Sequence, residues 1–245
     1  MRVVLRNLVL VLLAFSALIV VEARFAVFDG LTVHEPGPMR SLVGRLALRE
    51  SGSGNADLDR VLVLDPNNTL AWERRCTAFL GATQAEWVSD CRHALTLEAS
   101  GANYRLMGSA QEQASQYCAA EASYRAAIAQ PDMIGQRPVV LRDAARAALN
   151  CGDPAASLNL LHTAEQLDQA SASNALAPED SQRARDGLAS DRGYMAVVYQ
   201  QTNQPDKARQ MCFEANPGYG NCSCQLTGTG LICSPQASPT LVSAR

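Results

Sequence analysis

Eight cysteines, Cys76, Cys91, Cys118, Cys151, Cys212, Cys222, Cys224 and Cys233, are the residues of this 245-residue sequence best suited to chemistry. An even set of thiols is most simply a disulfide set when a chain folds in an oxidising compartment. Cys222 and Cys224, separated by one residue, are poorly placed to bridge each other, so each is expected to reach Cys212 or Cys233. Four thiolates would also bind zinc tetrahedrally, but the paired C-x2-C knuckles of structural zinc sites are missing. A redox role for Cys222-Ser223-Cys224 lacks both a C-x2-C motif and a basic activating environment. Buried thiols in small-residue slots are a further reading of Cys76 and Cys91. Histidine is scarce: His34, His93 and His162 are the whole supply. No H-E-x-x-H, C-x-x-C-H, G-x-S-x-G or phosphate-binding glycine loop occurs, so no catalytic residue, metal or cofactor is expected. Binding is the better reading than catalysis.

The elements that position these residues must be found in a chain of 26.2 kDa with 47% hydrophobic and 18% charged residues and a formal charge of −3. That length builds one or two cores without relying on disulfides alone. The balance excludes a disordered chain and a polybasic nucleic-acid binder.

Arg2 and Arg6 precede fourteen uncharged residues, 8–21, which are followed by Glu22, Ala23 and Arg24. A basic start before an apolar stretch marks an export signal, with Val21-Glu22-Ala23 as an acceptable cleavage site. Fourteen residues rise about 21 Å as a helix, short of the roughly 30 Å hydrocarbon core, which favours cleavage. Phe25, Ala26, Val27 and Phe28 extend the apolar character, and Glu22 and Arg24 can snorkel, so residues 1–28 equally suit an uncleaved single anchor. Either way Arg2 and Arg6 stay inside and the remainder lies outside the cytoplasm. Lys207 is the only lysine, an arginine bias that points to a GC-rich bacterial genome. The expected compartment is therefore the periplasmic side of the inner membrane when anchored, or the periplasm or exterior when cleaved. Residues 29–38 read as a linker and 218–245 as a Cys-rich, partly irregular tail.

Between them, residues 39–217 carry a repeat in the spacing of small residues. Its clearest copy has Tyr104, Met107-Gly108, Ala120, Tyr124 and Ala127, and closes at Pro131. Cys76, Gly108, Ala145 and Ala196 occupy one small position, and Trp87, Ala120, Ser157 and Ala208 follow at +11, +12, +12 and +12. Ala94, Ala127, Ala164 and Ala215 come seven later, each preceded by three positions by Cys91, Tyr124, Leu161 or Cys212. Small residues at such spacing let antiparallel helices approach closely, with a large neighbour filling the groove. The pattern resembles the tetratricopeptide repeat (TPR) family in divergent, exported form. The resemblance implies an all-α, TPR-like superhelix of about four helix pairs. The closing alanines are 33, 37 and then 51 residues apart, so residues 169–181 are an insertion, either a loop or a lengthened helix. Arg75-Cys76 and Trp87 depart from the pattern, so the first pair must pack differently. Residues 39–64 read as a degenerate capping unit, and an irregular helical bundle is the plainer alternative.

The repeat places Cys76 and Cys91 on the two helices of one pair, and Cys118 and Cys151 at a common rim, which proposes Cys76–Cys91 and Cys118–Cys151 as bonds. It also implies a concave face lined by Glu73 and Thr77, by Arg105, Ser109 and Glu112, and by Arg142, Arg146 and Asn150. Arg142 and Arg146 share one helical face, and with Arg105 they would present a basic stripe to a carboxylate or acidic peptide. The plainer reading is a solvated face paired by local acids such as Asp143. Members of the TPR family generally mediate protein assembly. Together with the N-terminal segment, the resemblance implies a membrane-tethered scaffold binding an envelope protein or peptide; a secreted disulfide-stabilised structural protein and a thiol-redox or other enzyme accessory are the rivals.

Overall fold

The computed structural model describes residues 55–78, 84–217, 222–227 and 230–235. The expected leader, the linker and residues 39–54 of the capping unit lie outside the described residues. Among those described, no helix is long and apolar enough to cross a membrane. The described residues divide into two compact units, those up to Ala99 and those from Ser100 onward.

In the first unit, α1 (Asn55–Leu64), α2 (Thr69–Thr77) and α3 (Gln84–Leu97) follow in order. Leu58, Val61 and Leu62 of α1 bury against Ala71, with Leu64 and Trp72 at the margin. The turn between α1 and α2 is written in its side chains. Asn68 caps α2 by accepting from Ala71 N at 3.0 Å, and Trp72 Nε1 donates to Pro66 O at 2.8 Å. A side-chain oxygen at this position satisfies a backbone donor that the helix leaves open. Where the sequence departs from its own repeat, a covalent bond replaces small-residue packing: Cys76 and Cys91 are joined, with Cα atoms 4.9 Å apart. Trp87 is buried beside them and donates its indole N–H to Cys76 O. Arg75 crosses the unit, pairing with Asp59 of α1 and Asp90 of α3 while stacking on Trp72.

The second unit is built of three helix hairpins: α4 (Gly101–Gln113) with α5 (Tyr117–Ile128), α6 (Arg137–Cys151) with α7 (Pro154–Asn174), and α8 (Pro178–Gln201) with α9 (Pro205–Ala215). A 3-10 turn, Pro131–Gln136, leads into α6. Its Asp132 carboxylate reaches back to accept from Gly101 N at 3.1 Å and Ala102 N at 3.3 Å, which joins the turn to the start of α4. Successive helices pack on one another, and α6 is buried nearly all round through Val140, Leu141, Ala144, Ala145, Ala147 and Ala148. Its polar stripe of Arg142, Asp143 and Arg146 is partly buried as well, as suits a helix at the centre of its domain.

The small-residue positions do what close packing requires. Gly108, Ala145, Ala196, Ala120, Ser157, Ala127, Ala164 and Ala215 are buried, as are the large residues Tyr124 and Leu161; Ala208 alone stays partly exposed. Turn chemistry closes each hairpin. Gly152 ends α6 at φ +93°, a left-handed conformation favoured by glycine, and Asp153 caps α7 by accepting from Ala156 N at 2.9 Å. Pro154, Pro178 and Pro205 open α7, α8 and α9, where a missing N–H leaves nothing unsatisfied. The insertion is a lengthening of two helices: α7 runs on to Asn174 and α8 begins at Pro178, with Leu176 fully exposed between them.

The tail corrects the all-α expectation. Cys222–Thr227 (β1) and Gly230–Pro235 (β2) pair antiparallel, with Cys224 opposite Cys233. Both strands lie against α8, β1 also meets α9, and Cys222 and Cys224 join the core of this unit. The physical reason is the period of two: cysteines at 222 and 224 point to one face only on a strand.

Candidate partner-binding surface

The residues expected to form a basic stripe are brought together, but their charge is spent inside the protein. Arg146 donates from Nε to Glu112 Oε1 at 2.5 Å and from Nη2 to Glu112 Oε2 at 2.7 Å, a two-pronged pair between α6 and α4. Its Nη2 also reaches Asp143 Oδ1 at 3.2 Å. Arg105 binds Asp143 Oδ2 from Nε and Nη2, at 3.3 and 3.2 Å, and Gln136 Oε1 from Nη1. Tyr124 donates its hydroxyl to Glu112 Oε2 at 3.0 Å. Burial and the adjacent Glu112 charge push this phenol far up, so it remains a donor, and the hydrogen bonds from Arg146 to Glu112 hold its guanidinium protonated. Asn150 is exposed at the end of α6. The line of residues is thus a cross-helix brace, the arrangement expected of a face paired by local acids such as Asp143, and not a row of unpaired cations. Local acids placed at hydrogen-bond distance are the cause.

Arg142 lies deeper, among acids from two other helices that the repeat pattern does not mark. Its Nη1 donates to Asp168 Oδ2 of α7 at 2.7 Å and to Asp191 Oδ1 of α8 at 3.0 Å. One guanidinium thus serves two carboxylates. Asp191 is fully buried, and its Oδ2 has no hydrogen-bond partner among the described residues. Burial lifts its pKa to about 7 against the opposing pull of Arg142, with the Asp168 and Glu165 charges adding to the rise. Gly187 leaves the room that Asp168 occupies, since a Cβ there would stand 2.2 Å from Asp168 Oδ2. A signal was present in the sequence: Asp191 falls on the same face of α8 as Ala184, Gly187, Met195 and Val198, an acid inside an apolar stripe.

Beside this cluster opens a groove of about 350 Å³. Ile134, Pro138 and Val139 wall one side, Leu167, Ser171 and Ala184 the other, and the Arg142–Asp168 pair forms part of its lining with Asp180 and Arg183. Asp180 and Arg183 pair with each other at 3.1 Å. Ile134, Val139 and Leu167 remain 65%, 40% and 36% exposed, which is unusual for such side chains side by side. The groove exists because α7 and α8 are lengthened. Its ionic groups are paired among themselves, so the unsatisfied part of the surface is apolar.

The eight cysteines form four bonds: Cys76–Cys91, Cys118–Cys151, Cys212–Cys222 and Cys224–Cys233. Cys118 and Cys151 tie the start of α5 to the end of α6 with Cα atoms 5.0 Å apart. The sulfurs of Cys212, Cys224 and Cys233 lie within 4.8 Å of one another, but as disulfides they offer no thiolate to a metal. His93 stacks on Trp72 and His162 faces Glu165, both ordinary surface arrangements.

No protein-family model matches the sequence, and no curated protein is similar to it at the sequence level. Solved structures are similar in fold. The MamA protein of Desulfovibrio magneticus RS-1, from residue 41 to its end, has a TM-score of 0.52 at 12% identity, covering 73% of this chain and 92% of that one. A second MamA crystal structure has a TM-score of 0.52 at 14% identity, covering 73% and 89%. A Podosopora anserina putative kinesin light chain with nearly identical TPR-like repeats has a TM-score of 0.51 at 14% identity, covering 75% and 96%. The chain therefore has a divergent TPR-like fold.

Proposed function

We propose that this chain is an extracytoplasmic, membrane-tethered scaffold that binds a segment of a partner protein in the cell envelope. The observation that carries the reading is the groove: exposed Ile134, Val139 and Leu167 line a cavity of about 350 Å³ on a repeat fold. A groove of this size and lining suits one or two aliphatic side chains of an extended segment. Four disulfides support an oxidising compartment, and the basic-then-apolar residues 1–28 support export with retention at the inner membrane. The TPR-like fold supports a protein partner, although fold alone does not fix function. The braced arginines are not the docking surface in this reading, and no catalytic role is assigned.

The test uses the full chain purified from detergent-solubilised envelope, with its N-terminal mass read from the same sample. Wild type should retain a specific envelope protein and an intact N-terminus. The double variant Val139→Glu, Leu167→Glu should lose that protein while keeping its helical circular dichroism and thermal midpoint. Equal retention by both proteins would remove the groove as the docking surface, and a cut N-terminus would replace the tether with a secreted protein.

A further inference from the structure

The four sulfurs of the tail stand in an arrangement that the other two disulfides lack. Cys224, bonded to Cys233, places its Sγ 3.1 Å from Sγ of Cys212, to which it is not bonded and which is itself bonded to Cys222. Cys212, Cys222 and Cys224 are buried, whereas Cys233 is partly exposed. Cys222 and Cys224 share one face of β1, and Cys233 is the direct cross-strand partner of Cys224, so Cys222 sits diagonally from Cys233. One of the four residues is thus partly open to solvent, and the other three are buried.

We infer that Cys212, Cys222, Cys224 and Cys233 form a thiol-exchange site, in which the attack of an external thiol on Cys233 is relayed through Cys224 to Cys212. The thiol that starts the exchange, and is returned at its end, is a low-molecular-weight or protein thiol. Its thiolate attacks Cys233 Sγ, forms a mixed disulfide there, and breaks the Cys224–Cys233 bond, leaving the electron pair on Cys224. The Cys224 thiolate then attacks Cys212 Sγ, forming Cys212–Cys224 and expelling Cys222 as a thiolate. Cys222 attacks Cys233 in the mixed disulfide, forming Cys222–Cys233 and returning the external thiolate. Two disulfides enter and two leave, so no oxidant or reductant is consumed. Rates of such exchange follow access and the proximity of thiolate to the attacked sulfur, and here proximity is built in for the attack of Cys224 on Cys212.

The experiment uses the oxidised full chain and limiting reduced glutathione at pH 8, followed by acid quench and alkylation. The tryptic peptide 210–245 holds all four tail cysteines, and electron-transfer fragmentation assigns its bonds. Cys212–Cys224 and Cys222–Cys233 should appear beside the original pairing, while Cys76–Cys91 and Cys118–Cys151 stay as they are. A second arm needs no added thiol: in Cys233→Ser the freed Cys224 should divide the bond to Cys212 with Cys222, so that alkylation labels both Cys222 and Cys224. Original pairing alone after glutathione treatment overturns the inference, as does scrambling that includes Cys76–Cys91 and Cys118–Cys151. Labelling confined to Cys224 in Cys233→Ser overturns it too.

Discussion

Gly108 of α4 lies directly against the ring of Tyr124 of α5: a Cβ at position 108 would stand 2.7 Å from Tyr124 Cε1. The same ring is buried, and its hydroxyl is held by Glu112, so it has no free direction in which to yield. Two opposed effects meet in Gly108→Ala. Helix propensity favours alanine by up to about 1 kcal/mol, while forcing a methyl group into a filled contact costs about 1–3 kcal/mol. Overpacking wins, and the variant should melt several degrees below wild type by circular dichroism. A midpoint at or above that of wild type would show that the helices separate freely.

Arg142 should contribute heavily to stability. Replacing it by Met leaves Asp168 and fully buried Asp191 without their shared partner, and breaking a buried pair in this way costs about 3–5 kcal/mol. Urea unfolding at pH 8 is the measurement. A loss below about 1 kcal/mol, the value of a surface pair, would show that the cluster is solvated.

Asp191 gives the protein a recognisable pH dependence. Its carboxyl titrates near 3.8 when unfolded and near 7 when folded, because burial disfavours the charge. The folded state therefore holds the extra proton between those values, and this group's contribution to stability falls as pH rises through that window, then levels off above it. Asp191→Asn should remove the slope. Melting wild type and variant from pH 4.5 to 8 tests this, with the difference in midpoint shifting toward the variant as pH rises; a constant difference would contradict it.

Reduction should weaken the protein without dissolving it. Cross-links closing loops of the Cys76–Cys91 and Cys118–Cys151 lengths contribute about 3 kcal/mol each, but the helix hairpins of residues 101–215 keep a core of Val140, Leu141, Leu160, Leu161 and Val198. A reductant should lower the thermal midpoint and leave the helical circular dichroism at 25 °C largely intact. Complete loss of ellipticity would mean that the repeats cannot stand on packing alone.

The hairpins of the second unit were legible in the sequence because small residues and helix stops recur at fixed spacing: Gly108, Ala120 and Ala127 reappear as Ala145, Ser157 and Ala164. Local signals of that kind survive folding. Asp143, the partner of Arg105 and Arg146, was legible as a local acid, but the pairing of Arg146 with Glu112 and of Arg142 with Asp168 and Asp191 was not, because each is set by which face of a neighbouring helix an acid occupies. Asp168 lies 26 residues from Arg142 and Asp191 lies 49 away, distances across which a periodic pattern fixes the approach of backbones but not the pairing of charges. The groove was hidden for a related reason. An insertion of uncertain conformation does not reveal that two helices extend together. The strands of the tail were missed although Cys222–Thr227 alternates apolar and polar residues, because Gly230–Pro235 sets Leu231, Ile232 and Cys233 in a row and breaks the alternation.

The extension that carries the groove also separates two kinds of change. The turns added to α7 and α8 rise past the positions where Ala145, Ser157, Leu161 and Ala196 hold the hairpins together, and none of the four cross-links passes through them. Lengthening or trimming both helices by whole turns would reshape the groove while the repeat beneath keeps its spacing. On the proposed reading of the groove, binding preference can accordingly drift over generations at little hazard to the fold, and related chains should differ most in length at Leu176 and least at the glycines and alanines below.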